Sequence, residues 1–423
     1  MKAIILATEK DFIYGENIPL ALVKVCGISL IARILNSLRA SGVKEILIIL
    51  GFEGEKIRSI FKSGEDIGLK LFYIEAGKDQ ENLKDFLNDD ILIISVDNVV
   101  DGELIEKIIK MKGEFSCYYN DKPIGIYKLN RENAVLLYEY LASSHVKEKL
   151  EKIRLQVPRL DVSEMRVESI ELKRVIHPVC IKIEDKQSIE IAKRKLVFRA
   201  QKGLHFTSYI NKPIEDYITY YISDVSWITP NRITVFVNIA AFLVASLFLL
   251  MHTSIAAILA YVVGILDGLD GKLARARGTL TRLGHIEHTF DMLYEQTWYI
   301  CFSLSLYFSE SSHLPLVLGL CMLLTDSFVR HCYMQFKEAM GKALTAYTDF
   351  DRLFARVDGR RNIYVLYMIL FSLLSMPLYA MYAMLMHSSV TAVVYAVRAV
   401  QHMSTADEAE GLKGFLKLVG KPG

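Results

Sequence analysis

Beyond Thr229 the chain becomes a series of apolar segments, at about 232–250, 254–271, 286–308, 314–334, 362–376 and 378–400. Each is near the length needed to cross ~30 Å of hydrocarbon as a helix. A chain carrying such a series is expected to build an α-helical membrane domain, because only internally hydrogen-bonded helices satisfy their backbones in lipid. Six spans are expected, and Pro377 divides the last two within one long apolar stretch. The first 200 of the 423 residues are different in kind, being dense in Lys and Glu, so the 52% hydrophobic content is concentrated in the second half. Two domains follow from that contrast.

Charge placement orients the membrane half. The connections at 251–253, 309–313 and about 376–378 contain no Lys or Arg. The others are loaded, one with Lys272, Arg275, Arg277 and Arg282, the next with Arg330, Lys337, Lys342, Arg352, Arg356, Arg360 and Arg361. Positive loops stay cytoplasmic, which places both termini and the front domain on that side, in agreement with Lys413, Lys417 and Lys421 of the tail. A formal charge of +2 and the lack of an Arg-rich arm give no reason to expect a nucleic-acid partner. The opening residues, Met1 to Ala7, read as one strand rather than a leader. The six cysteines show no C-x-x-C pair, and those in apolar stretches read as small buried hydrophobes. Residues 203–228 are rich in rings suited to a headgroup layer (Tyr209, Tyr217, Tyr220, Tyr221, Trp227) and are expected to form an interfacial amphipathic helix.

Chemistry enters at Asp267-Gly-Leu-Asp270-Gly271-Lys-Leu-Ala274-Arg275, with eight further residues before Gly284. Carboxylates are costly at the end of an apolar run, and this pair, at i and i+3, shares one helical face. A cation site is the simplest use for them. Gly271 and Ala274 keep that surface shallow, and Arg275 supplies a fixed charge for an anion or for an aspartate.

The pattern D-x-x-D-G-x-x-A-R-x8-G resembles the signature of the CDP-alcohol phosphotransferase family, and Thr229-Pro-Asn resembles the start of that family's first span. The resemblance implies integral-membrane enzymes that transfer the phospho-alcohol part of a CDP-alcohol to a second alcohol and release CMP. It also implies two more aspartates on the next helix, and here the chain departs from the pattern. Strict spacing from Gly284 puts His288 and Met292 at those places, whereas Glu287 and Asp291, one residue earlier, restore an acid pair at i and i+4. Glu287 and Asp291 are taken as the working pair, with His288 as a further ligand candidate. Asp267, Asp270, Glu287 and Asp291 would then hold two divalent ions, Mg²⁺ or Mn²⁺, as oxygen ligands select. Asp291 takes the family's catalytic-base role, with Arg275 as its catalytic cation. Asn231, Gly271, Ala274, Arg275, Thr281 and Gly284 are candidates for nucleotide contacts, and Arg330, Arg360 and Arg361 for an anionic acceptor.

The front half alternates short β-branched runs, at 2–7, 45–50 and 91–95, with helical patterns such as Leu30 to Leu38. That alternation implies an α/β Rossmann-like domain with a parallel sheet. Over about 195 residues it is similar to the nucleotidyltransferase fold, through the opening strand, Pro19 to Gly27, Ser95-Val-Asp97 and Gly125-Ile-Tyr127. Active members carry a Gly-rich, Arg-bearing loop after the first strand and then a Pro-Lys pair. Here the loop reads Thr8-Glu-Lys-Asp-Phe-Ile-Tyr14, and Leu20 stands where the lysine belongs. Asp97 keeps one metal-binding position and Glu184 stands near the second. The domain is expected to be inactive.

The expected layout is a cytoplasmic nucleotidyltransferase-like domain at 1–200, an interfacial linker at 201–228, a transmembrane phosphotransferase domain of six helices at 229–405, and a cytoplasmic tail at 406–423. The resemblance further implies a homodimer in the cell membrane, a CDP-lipid or CDP-polyol donor and an alcohol or phospho-alcohol acceptor. A non-catalytic CDP-alcohol binder with a decayed metal site is the alternative, kept open by His288 and Met292.

Overall fold

The β-branched runs of the first half pair edge to edge and are buried along nearly their whole length. The computed structural model of the chain describes all residues except 11–12, 14–17, 77–85, 137–156, 170–171, 173, 203–204, 280–283, 285 and 412–423. It divides into two compact units. The first comprises Met1–Gln201, Asp216–Ile228 and Lys272–Leu280, and the second Lys202–Glu215, Thr229–Gly271 and Thr281–Gly423.

In the first unit, strands β1 (Lys2–Ala7), β2 (Glu45–Leu50), β3 (Lys70–Glu75) and β4 (Ile91–Ser95) run parallel. Helices α1 (Leu30–Ala40), α2 (Gly54–Phe61) and α3 (Gly102–Lys110) alternate with the strands. β5 (Asn98–Val100) follows β4, and β6 (Phe115–Tyr119), β7 (Lys122–Leu129) and β8 (Arg159–Asp161) complete a seven-stranded sheet in the order β8-β6-β7-β4-β1-β2-β3. β7 is antiparallel to both its neighbours, so the sheet is mixed at that edge. β9 (Cys180–Lys182) pairs with β5, and α4 (Lys186–Arg199) closes this part of the unit, opened by a capping box at Asp185 and Ser188.

Leu20, Asp97 and Glu184, the positions compared with the nucleotidyltransferase fold, differ in their surroundings. Leu20 is fully buried. Asp97, 5% exposed, accepts from Asn98 Nδ2 at 2.8 Å. Glu184 is exposed and accepts from Lys182 Nζ at 2.8 Å. That hydrogen bond, with the nearby charges of Asp97 and Glu9, raises the Lys182 ammonium above its ordinary value. An internal cation therefore stands beside these acids.

Helix α5 (Phe206–Ile222) precedes the apolar segments, each of which forms a helix. These are α6 (Pro230–Leu249), α7 (Thr253–Arg277), α8 (Glu287–Glu310) and α9 (Leu314–Met340), then, after the short α10 (Asp349–Phe354), α11 (Arg361–Leu373) and α12 (Pro377–Ala409). Thr229 caps α6 through its hydroxyl, with Pro230 in the first turn. α7 continues past the expected end at 271 to Arg277, because nothing breaks it before Gly278, which takes φ +68°. α11 stops at Leu373, earlier than the expected 376, where Ser375 turns at φ +57° ahead of Pro377.

Among the described residues, four helices, α6, α7, α9 and α12, are long and apolar enough to cross a membrane. α8 has the length but carries Glu287, Asp291 and Glu295, and α11 has only 13 residues. Large apolar residues face outward, with Leu324 71% and Leu243 63% exposed, while Trp298, Tyr294 and Phe302 are fully buried. Cys321 faces outward as well, unlike the buried Cys301 on α8, so burial of a cysteine in an apolar stretch depends on its helical side.

Helices α8 and α9 approach closely at Gly319, where an added Cβ would lie 2.9 Å from Ser303 Cβ. Gly319→Val should therefore destabilise the full chain in detergent by about 1–3 kcal/mol, read as a lower thermal midpoint. Leu324→Val, on the outer side, should leave the midpoint in place.

Candidate active site

The motif on α7 and the acid stripe on α8 meet inside the second unit. Asp267 and Asp270 lie one turn apart on α7, and Glu287, Asp291 and Glu295 recur every four residues on α8. Asp267, Glu287 and Asp291 each place an oxygen within 4.8 Å of the others. Asp270, 2% exposed, is within hydrogen-bonding reach of Glu287 and accepts from Thr234 Oγ1 of α6 at 2.5 Å. All four acids proposed from the sequence are thus neighbours.

The register of the second pair follows from where α8 begins. Its first residue is Glu287, which faces the α7 acids together with Asp291. The side chain of His288 is 64% exposed, and its Nδ1 lies 3.3 Å from Asp291 Oδ2. Met292 is half-buried and brings no ligand atom to the cluster. Two residues without a sequence-based expectation complete the surroundings. Tyr294 donates its hydroxyl to Asp267 Oδ1 at 3.1 Å. Glu295 accepts from Arg361 Nη1 at 3.0 Å and also pairs with Arg330. The four-residue spacing after Asp291 could have found Glu295, whereas Thr234 comes from a distant helix and carries no such signal.

The three arginines considered for an acceptor are already paired. Arg361 Nη2 donates to Asp267 Oδ2 at 2.8 Å, Arg330 Nε to Asp326 Oδ2 at 2.8 Å, and Arg360 Nη2 to Asp358 Oδ2 at 2.7 Å. Any anionic ligand would have to compete with a carboxylate for each of them. Arg275 Nε donates to the Ala200 carbonyl at 2.7 Å, both belonging to the first unit, as does Ala274. Gly271 is half-buried beside Asp270, Asn231 and Gly284 are exposed, and Thr281 lies outside the described residues.

Electrostatics decide what the cluster needs. Two carboxylates 4.8 Å apart repel by roughly 3 kcal/mol at an effective dielectric near 20. Arg361 reaches only Asp267 among the four acids. Asp291 Oδ1 is buried and has no hydrogen-bond partner among the described residues. A buried, unpartnered carboxylate oxygen among converging oxygen donors fits a hard divalent cation.

Residues 227–398 match the CDP-alcohol phosphatidyltransferase family. The chain carries a CDP-alcohol phosphatidyltransferase domain. It is similar to a bifunctional IPC transferase and DIPP synthase of Aquifex aeolicus (strain VF5), 24% identical over 64% of this chain and 68% of that one. A protein of the same description from Thermococcus kodakarensis is 27% identical over 45% of this chain and 43% of its own length. A crystal structure of Mycobacterium tuberculosis phosphatidylinositol phosphate synthase (PgsA1) with CDP-DAG bound aligns over 45% of this chain and 94% of that one, at 19% identity and a TM-score of 0.36. The CDP-alcohol phosphatidyltransferase domain contains all four clustered acids and the apolar helices of an integral membrane protein, and its class is that of a membrane transferase.

Binding of Mg²⁺ or Mn²⁺ to the acids should raise the thermal midpoint of the full chain by several degrees at saturation. Glu287→Gln should abolish that shift, and His288→Ala should retain it. Loss in His288→Ala with retention in Glu287→Gln would instead assign the ligand to the histidine.

Proposed function

We propose that the chain transfers the phospho-alcohol group of a CDP-alcohol to a second alcohol, at the cytoplasmic face of the cell membrane, releasing CMP. The observation that carries this reading is the convergence of carboxylate oxygens of Asp267, Glu287 and Asp291, with Asp291 Oδ1 buried and without a hydrogen-bond partner among the described residues. In the reaction an acceptor hydroxyl attacks the donor's alcohol-bearing phosphorus. The bond from that phosphorus to the oxygen shared with CMP breaks, and the hydroxyl proton passes to Asp291. A base works only within hydrogen-bond reach of its proton, so this role needs the acceptor hydroxyl to come within reach of an Asp291 carboxylate oxygen. Asp267 is held by Tyr294 and Arg361, and Asp270 by Thr234, so neither needs to reorganise when substrate arrives.

Asp267, Asp270, Glu287 and Asp291 would hold two divalent ions, Mg²⁺ or Mn²⁺. Bound there, such ions would neutralise the pyrophosphate and make CMP a better leaving group. Gly271 and Ala274 would admit the nucleotide, with Asn231, Arg275, Thr281 and Gly284 as further contacts. Arg330, Arg360 and Arg361 would meet an anionic acceptor only by exchanging their carboxylate partners.

Six helices, α6 to α9, α11 and α12, span the bilayer in this proposal, with both termini cytoplasmic. α11 and α8 then cross beside the other helices, their polar residues facing inward, which is how a short or acid-bearing helix is tolerated. α5 lies in the headgroup layer. Its supporting feature is an inverted pattern, in which Thr207, Asn211, Glu215 and Thr219 are buried while Tyr209, Ile210, Ile214, Tyr217 and Tyr221 are exposed. The domain boundaries are those expected, 1–200, 201–228, 229–405 and 406–423, and two chains pair through the membrane helices. The donor is a CDP-lipid or CDP-polyol, and the product a phospholipid or related phosphodiester.

CMP release from a panel of CDP-alcohols by the full chain in detergent with Mg²⁺ tests the enzyme. Asp291→Asn should lower turnover by about 10²–10⁴-fold with its thermal midpoint kept. A silent wild type that gains turnover on Met292→Asp would mean a decayed site and a binder.

The front domain should neither bind CTP nor release pyrophosphate from it, a reading supported by the buried Leu20 where the resemblance calls for a lysine and by the pairing of Glu184 with Lys182. Asp97→Asn should leave CMP release unchanged, as measured by the same assay.

A further inference from the structure

The outer side of α4 presents Ile191, Arg194, Lys195 and Phe198, spaced three and four residues apart as on one face of a helix. Phe198 is 64% exposed, an unusual position for a phenylalanine beside two cations. The C-terminal part of α5 runs next to it within the first unit. Lys193 Nζ pairs with Asp224 Oδ2 at 2.5 Å and lies 4.0 Å over the Tyr220 ring, whose hydroxyl donates to Glu190. Tyr220 is thereby turned toward α4, while Tyr217 and Tyr221 face outward at 66% and 59% exposure.

A shallow recess of about 360 Å³ lies between the two helices, lined by Arg194, Phe198, Asp216, Tyr217 and Tyr221 among others. Its one acid, Asp216, is already paired with Lys272 Nζ at 2.5 Å. A second recess of about 330 Å³ shares Arg194 and Phe198 and adds His177, Lys195 and Arg199. Arg199 is held by Asp101 and by Glu103 at 2.9 Å. Arg194 and Lys195 have no carboxylate partner among the described residues, so the face carries net positive charge around exposed rings.

That combination fits one kind of surface. Aromatic rings settle at the level of lipid headgroups, and basic side chains beside them attract acidic lipids. The α5 side that is apolar and exposed leads along the helix to Tyr217 and Tyr221, and Phe198 extends the same face onto α4. We infer that the α4–α5 face of the first unit is a docking site for acidic phospholipid headgroups. Phe198, Tyr217 and Tyr221 enter the headgroup layer, and Arg194 and Lys195 hold the lipid phosphate. The inference rests on the membrane placement argued under the proposed function, and it adds a lipid preference carried by residues that precede the transferase domain.

The test places a tryptophan at the face. Full-length Phe198→Trp protein is reconstituted in nanodiscs made with brominated acyl chains, with or without an acidic lipid such as phosphatidylglycerol. The fluorescence added over the parent should be quenched at least about twofold more strongly in acidic discs. Arg194→Glu with Lys195→Glu should abolish that difference. Equal quenching in both discs, unaffected by the charge reversal, would overturn the acidic-lipid assignment, as would no quenching in either. Relief by inorganic phosphate added at constant ionic strength would overturn it in favour of a soluble anion. Phe242→Trp, on the outer side of α6, reports the membrane placement separately. If that residue is unquenched, the placement itself fails and the inference with it.

Discussion

Crowded carboxylates in an apolar bundle can persist only if something offsets their repulsion, and the helical unit is organised around that requirement. Asp267, Asp270, Glu287 and Asp291 converge from two helices. Arg361 of α11 ties Asp267 to Glu295, and Glu295 in turn meets Arg330 of α9, which holds Asp326. Thr234 brings α6 into the same network through Asp270. Removing one partner from such a network leaves an uncompensated charge, which costs far more than a lost surface pair. The placement of five helices and the geometry of the site are therefore one problem. The partnerless oxygen of Asp291 is the point at which the protein's own groups stop answering the charge.

The same unit inverts the usual relation between burial and polarity. Its largest exposed side chains are aliphatic, and several buried ones are ionic or hydrogen-bonded. Trp298, fully buried, still donates its indole N–H to the Ala241 carbonyl at 2.8 Å. Helix α5 repeats the inversion in miniature, with a buried stripe from Thr207 to Thr219 and rings outside. In the apolar helices this follows from a surrounding that is itself apolar, so that burial serves polar groups seeking partners rather than apolar groups avoiding water.

The front unit is held together by its apolar core. Its sheet is held by Ile4, Ile5, Ile48, Ile93 and similar fully buried residues, whose apolar side chains have no part in handling phosphate. The positions that would handle phosphate can therefore change without loss of the core. Lys182 pairs within the chain with Glu184 at 2.8 Å, near the charge of Asp97. Arg277 is a comparable internal solution, its buried guanidinium donating to the carbonyls of Ser223, Val225 and Ile228 at 2.7–3.1 Å.

Much of this was legible in the residues because it depends on local periodicity. The strands at 2–7, 45–50 and 91–95 have the expected limits, and the apolar segments after Thr229 are helices. The acid spacings on α7 and α8 were readable for the same reason, since side chains three or four apart on a helix must share a face. Glu287 with Asp291 could be preferred to His288 with Met292 because only the first pair are both acids, but where α8 begins after Gly284, which sets the side they face, was not readable. Nor could the sequence pair Arg361 with Asp267 across 94 residues, or assign Thr234 to Asp270. Those contacts are set by distances through space between helices, and only their packing decides which charge meets which.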